Sequence, residues 1–379
     1  MKTGLYLHIP FCVRKCAYCD FYSIADLTLL DTFVEALCKE IQCARKAHKD
    51  FFKVIDTIYF GGGTPSVLGS ERIAIIMETI RDNFEVERNS EITIEVNPGT
   101  IAERFLNKIK GEGINRLSIG VQSFNEEDLV FLGRGHSQKE AYAAINEAKE
   151  LFNNYSIDLI HSIPGQSLVG YQESLRKAVQ LEIPHVSAYA LTIEQNTPLH
   201  ELCRKGEITC VSEEEGIQFL KSTINMLEKN GYLHYEISNF ARSSSLVSRH
   251  NAKYWDFSPY LGFGPSAHSF DGNNRWGNVR TIREYFNKIS EGVLAIGTEE
   301  LLSQEQQFIE RIMLGLRRID CGINIDTLRK DFSYQWNATH EKSLDEFMDR
   351  GYLEQKGDCV RITQQGSLVY NMIVKELTA

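Results

Sequence analysis

Six short apolar, β-rich runs punctuate the first half of this 379-residue chain, at residues 4–9, 54–60, 91–96, 116–121, 156–163 and 185–191. Stretches of helical period separate them, at 30–47, 73–83, 101–110, 139–152 and 172–181. A chain that alternates strand and helix at this spacing is held to right-handed crossovers and a parallel sheet. Six strands are too few to close an eight-stranded barrel, so the expected fold class is α/β with an open, partial β/α barrel. A flat doubly wound sheet is the alternative. Polar or Gly-rich residues follow nearly every run: Cys12 to Cys19, Gly61 to Pro65, Asn97-Pro98, Gln122-Ser123 and Pro164 to Gln166. In a β/α barrel, active sites gather at that end of the strands.

Beyond Glu194 the alternation loosens. A helix is predicted over 213–230, with Glu213, Glu214 and Glu215 placed to complement its dipole. A strand over 233–237 follows, then an irregular, aromatic-rich stretch from Phe240 to Trp276. From Ser303 the texture changes to helices at 304–316, 325–332 and 343–350, and a hairpin of 352–354 and 360–363 turning on Lys356-Gly357-Asp358. The expected division is residues 1–298 as the barrel with an extension, and 299–379 as a small winged-helix-like α+β domain. DNA binding by that domain is disfavoured, because from Glu299 onward ten Lys and Arg stand against fourteen Asp and Glu.

The whole chain has a net charge of −10 and 42% apolar residues, which fits a large core and argues against a general nucleic-acid surface. No apolar run reaches the roughly 18 residues of a membrane helix, and the first ten residues lack the pattern of a secretory signal. Six of the nine cysteines (Cys38, Cys43, Cys203, Cys210, Cys321 and Cys359) are scattered and read as reduced thiols of a cytoplasmic protein.

The other three, Cys12, Cys16 and Cys19, form a CxxxCxxC array just after the first strand. Thiolates so closely spaced bind metal or risk oxidation. Zinc would take four protein ligands, with His8 as the fourth. Three thiolates alone suit a [4Fe–4S] cluster whose fourth iron is open to an outside ligand. S-adenosylmethionine can chelate that iron through its amino and carboxylate groups, and electron transfer into the sulfonium then breaks a C–S bond. Gly61-Gly62-Gly63-Thr64-Pro65, after the second strand, lets backbone approach a charged methionine moiety, or is only a tight turn.

Taken together, the cysteine array, the glycine turn and Tyr18 before the third cysteine resemble the radical S-adenosylmethionine superfamily. Tyr6 to Cys12, Gly61 to Pro65, Glu95-Val96-Asn97-Pro98, Gly120 to Phe124 and Asp158-Leu159-Ile160 follow in order. This series resembles the oxygen-independent coproporphyrinogen III oxidases and their relatives over essentially the whole chain. The resemblance implies that Tyr6, Tyr18, Gly62 and Glu95 line the cluster-bound S-adenosylmethionine. It also implies that Gly63, Thr64, Gln122, Arg134, Asp158 and Ala190 match a second S-adenosylmethionine site. Carboxylates suit hydroxyl and ammonium groups, and an arginine suits a carboxylate. Structural ion pairs for Glu95 and Asp158, and a solvated loop charge for Arg134, are the other readings.

Two departures from the oxidase pattern matter. Oxidases carry a further cysteine two residues after the third, where this chain has Phe21. They also have an N-terminal extension that helps close the substrate site, whereas here the cysteine array begins at residue 12. Both differences resemble the HemW-type heme chaperones. So does His250-Asn251-Ala252-Lys253-Tyr254-Trp255, which is similar to the heme-associated HNxxYW motif of that branch.

The resemblance implies His250 as an axial heme ligand, with Tyr254 and Trp255 as an aromatic wall and His268 in reserve. His8 would position the cluster loop. An axial imidazole must be neutral, so heme affinity is expected to fall below about pH 6. The residues alone leave open a His250 that only hydrogen-bonds among packed aromatics. The implied cytoplasmic protein carries a [4Fe–4S] cluster and S-adenosylmethionine, binds heme and passes it to acceptor hemoproteins such as respiratory enzymes. The alternative is an oxygen-independent coproporphyrinogen III dehydrogenase working by radical decarboxylation. A zinc-stabilised nucleic-acid-binding protein is the third class.

Overall fold

The computed structural model describes residues 2–48, 52–102 and 104–378. Period-two alternation within the apolar runs sorts one sheet into two faces. In β1 (Lys2–Ile9), Leu5, Leu7 and Ile9 are fully buried, while Gly4, Tyr6 and His8 take the other face. The same holds along β2 (Val54–Gly62), β3 (Glu85–Val96), β4 (Arg116–Gln122), β5 (Tyr155–His161) and β6 (His185–Ala190). Ile58, Phe60, Ile94, Leu117, Ile119, Ile157 and Leu159 all lie in the core.

That apolar face joins one core with the helices α1 (Leu30–Ala47), α2 (Gly69–Asn83), α3 (Phe105–Gly111), α5 (Gln138–Leu151) and α6 (Leu168–Gln180). A shorter helix, α4 (Glu126–Leu132), follows β4. Of the helix predicted over 101–110, only Phe105–Gly111 forms; Glu103 lies outside the described residues. Helix starts follow the local sequence: Ser137 caps α5 with a reciprocal capping box to Glu140.

The six strands stand in chain order, β1 to β6, each parallel to the next. A doubly wound sheet reverses direction at a switch point; this one does not. Yet the six strands are not the whole sheet, which runs β12-β11-β10-β9-β1-β2-β3-β4-β5-β6-β8-β7 and does not close on itself among the described residues. After α7 (Pro198–Arg204) and α8 (Glu213–Lys229), β7 (Leu233–Glu236) and β8 (Asn239–Ala241) extend one edge antiparallel. Ser212 caps α8 with Glu215, as the acidic run predicts.

On the other edge, the stretch expected to be irregular is ordered. It holds α9 (Arg249–Trp255), β9 (Tyr260–Phe263) parallel to β1, then β10 (His268–Phe270) and β11 (Asn274–Asn278). Helix α10 (Ile282–Ser290) and β12 (Ile296–Leu301) complete that edge. These strands are only three to six residues long, and β9 takes its place beside the remote β1, so no local period announces them.

A second core surrounds Phe308, Ile312, Leu328, Phe347, Val360 and Ile373. It gathers α11 (Gln304–Gly315), β13 (Ile323–Asn324), α12 (Ile325–Asp331), α13 (Ala338–Asp349), β14 (Leu353–Lys356), β15 (Cys359–Ile362), α14 (Gln364–Ser367) and α15 (Tyr370–Leu377). Its three-stranded sheet has the order β13-β15-β14. Lys356 pairs with Cys359, so the hairpin turns on Gly357-Asp358, with Gly357 at φ +61°.

One expectation about the thiols is corrected. Cys203 and Cys210 are disulfide-bonded rather than free, because the chain turns back after α7 through Gly206 (φ +73°) and brings their Cα atoms to 6.6 Å. Among the described residues no helix is long and apolar enough to cross a membrane.

Candidate functional site

Beyond β1 the chain leaves the sheet, runs out through the cysteine loop and doubles back on its own start. Phe11 and Ile24 form a parallel bridge. Cys12 N–H donates to the Ile24 carbonyl at 3.0 Å, and Ile24 N–H to the Pro10 carbonyl at 2.8 Å. The neck of the cysteine loop is thereby closed. Its tip is held at Ala17, which donates to the Leu132 carbonyl at 3.2 Å and accepts from Leu199 N–H at 3.0 Å.

Cys12 is buried; Cys16 and Cys19 are half-buried. Thr64 Oγ1 donates to Cys12 Sγ at 3.4 Å, and Arg134 Nη1 to Cys16 Sγ at 3.5 Å. Burial pushes the Cys19 thiol up, and Cys12 and Cys16 add to that. Among the described residues no three His, Cys, Asp or Glu side chains converge on a single ion. His8, which a zinc site would recruit, has both nitrogens engaged, Nδ1 with the Tyr6 hydroxyl at 3.2 Å and Nε2 with the Tyr22 carbonyl at 2.9 Å. Its ring braces the loop. The donor set that remains is three thiolates, one short of a closed zinc site. Phe21, where oxidases have their further cysteine, is 66% exposed.

The glycine turn packs against this neck. Gly63 N–H and Thr64 N–H donate to the Ile9 and Phe11 carbonyls at 2.8 and 2.7 Å. A Cβ on Gly63 would lie 2.6 Å from the Phe11 carbonyl oxygen, and one on Gly62 (φ +108°) 2.8 Å from the His8 ring. The close approach that requires glycine here is to the protein's own first strand and loop.

Behind the turn, Glu95 on β3 accepts from the Tyr59 hydroxyl at 2.9 Å. Burial, reinforced by the charge of Asp158, pushes its carboxyl up to about 8. Asp158, on β5, is also raised by burial, opposed by Ser187, Arg116 and Ser118. Two carboxylates facing one interior oppose each other's ionisation, and a cationic group between them would relieve it. Arg134 enters from beyond α4, fixed by a 2.9 Å bond to the Gly120 carbonyl and reaching the Tyr18 hydroxyl at 3.5 Å. Gln122 closes β4 at φ +65°, a strained conformation for a side-chain residue. Ala190 ends β6, exposed.

His250 lies elsewhere. It neighbours Gly4 and Thr57, toward the amino-terminal ends of β1 and β2, whereas the cysteines follow their carboxyl ends. Its backbone N–H and that of Arg249 donate to the Glu91 carboxylate at 2.9 and 3.1 Å. The ring is 1% exposed and stacks on Tyr59 at 5.2 Å. Nδ1 meets the Thr57 hydroxyl at 2.9 Å, and Nε2 the Tyr254 hydroxyl at 3.0 Å. Burial, with Lys253 and Arg116 nearby, lowers its pKa to about 3. The expected break near pH 6 therefore does not hold for this imidazole, which is neutral well below that. Trp255 lies under the Arg317 guanidinium at 4.4 Å. His268, on β10, is exposed.

The radical SAM superfamily matches residues 6–178, and the HemN C-terminal domain matches residues 302–369. The heme chaperone HemW of Lactococcus lactis is 31% identical over 376 residues, covering 99% of this chain and 97% of that one. That of Bacillus subtilis is 32% identical over 379 residues, with 98% of each chain covered. The chain belongs to the HemW family. Its fold matches that of the Escherichia coli coproporphyrinogen III oxidase HemN, a radical SAM enzyme, with a TM-score of 0.84 at 24% identity over 100% of this chain and 90% of that one.

In this HemW-family chain, sequence reasoning passed over most of the polar interior. Thr57 and Tyr59, Thr93, Arg116 and Ser118, Ser156, and His185 and Ser187 alternate with the core residues of β2 to β6. The signal was present as the polar half of each apolar run. Two clefts, of about 690 Å³ between α6 and α8 and about 250 Å³ between α9 and the second core, include none of the predicted site residues in their walls except Trp255.

Proposed function

We propose that this chain is a heme chaperone that carries a [4Fe–4S] cluster and S-adenosylmethionine and passes heme to acceptor hemoproteins in the cytoplasm. The observation that carries the cluster is the loop of three thiolates, Cys12, Cys16 and Cys19, with His8 spent on Tyr6 and Tyr22. Glu95 and Asp158 would meet the cationic and hydroxyl groups of S-adenosylmethionine and Arg134 its carboxylate, with Tyr6, Tyr18, Gly62, Gly63, Thr64, Gln122 and Ala190 lining the same mouth. Bound there, cluster and ligand would supply one-electron chemistry at the sulfonium.

Heme binding comes from the family, and His250 is its proposed ligand. His250 would reach iron by giving up its bond to Tyr254, and it is neutral, as a ligand must be. The six consecutive parallel strands are read as an open barrel, and residues 299–379, which hold the second core, as a winged-helix-like domain.

Anaerobic reconstitution with parallel heme titration and coproporphyrinogen turnover tests the reading. The expected result is about four iron and four sulfide per chain, lost on changing Cys12, Cys16 or Cys19 to Ala but kept in Cys321→Ala. Stoichiometric heme binding without protoporphyrinogen formation should accompany it. Bound zinc without sulfide would overturn the cluster; protoporphyrinogen production would overturn the chaperone.

A further inference from the structure

The interior face of β4 carries a charge met so far only as a neighbour of Asp158 and His250. Arg116 is 2% exposed, and none of the ion pairs among the described residues includes it. A guanidinium taken out of water is costly unless its donors are met. Here Nη2 donates to Ser156 Oγ at 3.2 Å, while Nε is buried without a partner. The one proton of Ser156 Oγ has two acceptors within reach, the Leu117 carbonyl at 3.3 Å and, closer, Ser118 Oγ at 3.1 Å, and Ser118 Oγ donates in turn to both oxygens of Asp158 at 3.3 Å. A hydroxyl that accepts from a cation becomes a better donor, so each link strengthens the next. The chain of bonds starts at a buried positive charge and ends at a buried carboxylate.

We propose that Arg116 is the positioning residue for Asp158, holding that carboxylate ionised and oriented through Ser156 and Ser118 for the cationic or hydroxyl groups of bound S-adenosylmethionine. This rests on the reading that Asp158 meets that ligand. The other groups around Asp158 are Glu95 from β3, Tyr59 from β2, Ser187 and Tyr189 from β6, and Arg134 from beyond α4. Of these, Glu95 opposes ionisation of Asp158, and Arg134 is tied to Gly120 and the cysteine loop. The two serines make Arg116 the cation hydrogen-bonded through to it.

The test uses the full-length chain after anaerobic reconstitution. Infrared difference spectra between wild type and Asp158→Asn, with ¹³C-carboxyl aspartate, isolate the Asp158 titration without any ligand. Arg116→Met should move its midpoint upward, and Arg116→Lys should restore part of the difference. Ser118→Ala, which keeps the cation, should move the midpoint the same way by less. S-adenosylmethionine binding should weaken about tenfold in Arg116→Met at pH 6.5, the size of losing a bond to a charged group, and recover as pH rises. A merely structural Arg116 would lower thermal stability and leave both profiles in place. An unmoved midpoint in Ser118→Ala and, where it folds, in Arg116→Met overturns the proposal. Midpoints moved in these variants, together with a wild-type chain that binds no S-adenosylmethionine, uphold the positioning and sink the ligand reading on which it rests.

Discussion

Changing Glu40 to Gln should remove a pH dependence of stability that arises at the seam between α1 and the β9–β12 edge. Glu40 is 2% exposed. Its carboxylate accepts from Gly264 N–H at 2.8 Å, the Tyr285 hydroxyl at 2.7 Å and Asn278 Nδ2 at 2.6 Å, all three donors neutral. Burial outweighs those bonds and raises the carboxyl from 4.5 to about 7. The folded state therefore holds the proton more tightly than the unfolded chain, so this group's contribution to stability is greatest below pH 4.5 and declines as pH rises through 7. Between pH 5 and 8 the decline comes to roughly 2 kcal/mol at about 1.4 kcal/mol per pKa unit. The substituted amide cannot ionise, and it keeps two of the three bonds while facing Asn278 with a donor, a loss of about 1 kcal/mol at low pH. Urea unfolding of both proteins at pH 5, 6, 7 and 8 should show wild type ahead at pH 5 and the variant ahead at pH 8. A difference that stays constant across that range would refute the reasoning.

Two further outcomes follow from the site. Gly63→Ala should lower iron and sulfide content after reconstitution, because its Cβ meets the Phe11 carbonyl at 2.6 Å and the neck must shift, an overpacking cost of about 1–3 kcal/mol. Gly111→Ala, with open space around it, should load normally in the same iron assay. His250→Ala should shift the Soret band of the heme-loaded protein, and wild-type heme affinity should stay flat from pH 5 to 8, since burial keeps that imidazole neutral down to about 3. A break near pH 6 in a spectroscopic titration would instead assign the iron ligand to an exposed histidine such as His268.

What could be read from the sequence was whatever a few consecutive residues decide. The six parallel strands and the long helices α1, α5 and α8 repeat their period over several turns or pleats, and Cys12, Cys16 and Cys19 lie within eight positions. Helix α9 and strand β9 are short and meet partners far along the chain, as Gly4 pairs with Tyr260 and Thr57 meets His250, and β10 and β11 build outward from β9 in strands too short to show a period. That remoteness also hid the environment of His250. The motif around it, Tyr254 included, could be recognised, but not that Glu91 and Thr57 would join Tyr254 around it in a buried site that lowers its pKa. The pairing of Cys203 with Cys210 depended on a turn at Gly206 that carries no period at all.

Ala17 sits between Cys16 and Tyr18 with both of its backbone groups bound to partners in the middle of the chain, Leu132 and Leu199. During synthesis the three cysteines leave the ribosome long before α7, yet the loop that presents them cannot take its final shape until α7 has emerged and docked. For most of translation the thiols belong to an unfinished surface. On the proposed reading a cluster would be delivered late, after the middle of the polypeptide has folded, and any condition that stalls elongation before α7 would leave the three sulfurs without the loop that is to hold them.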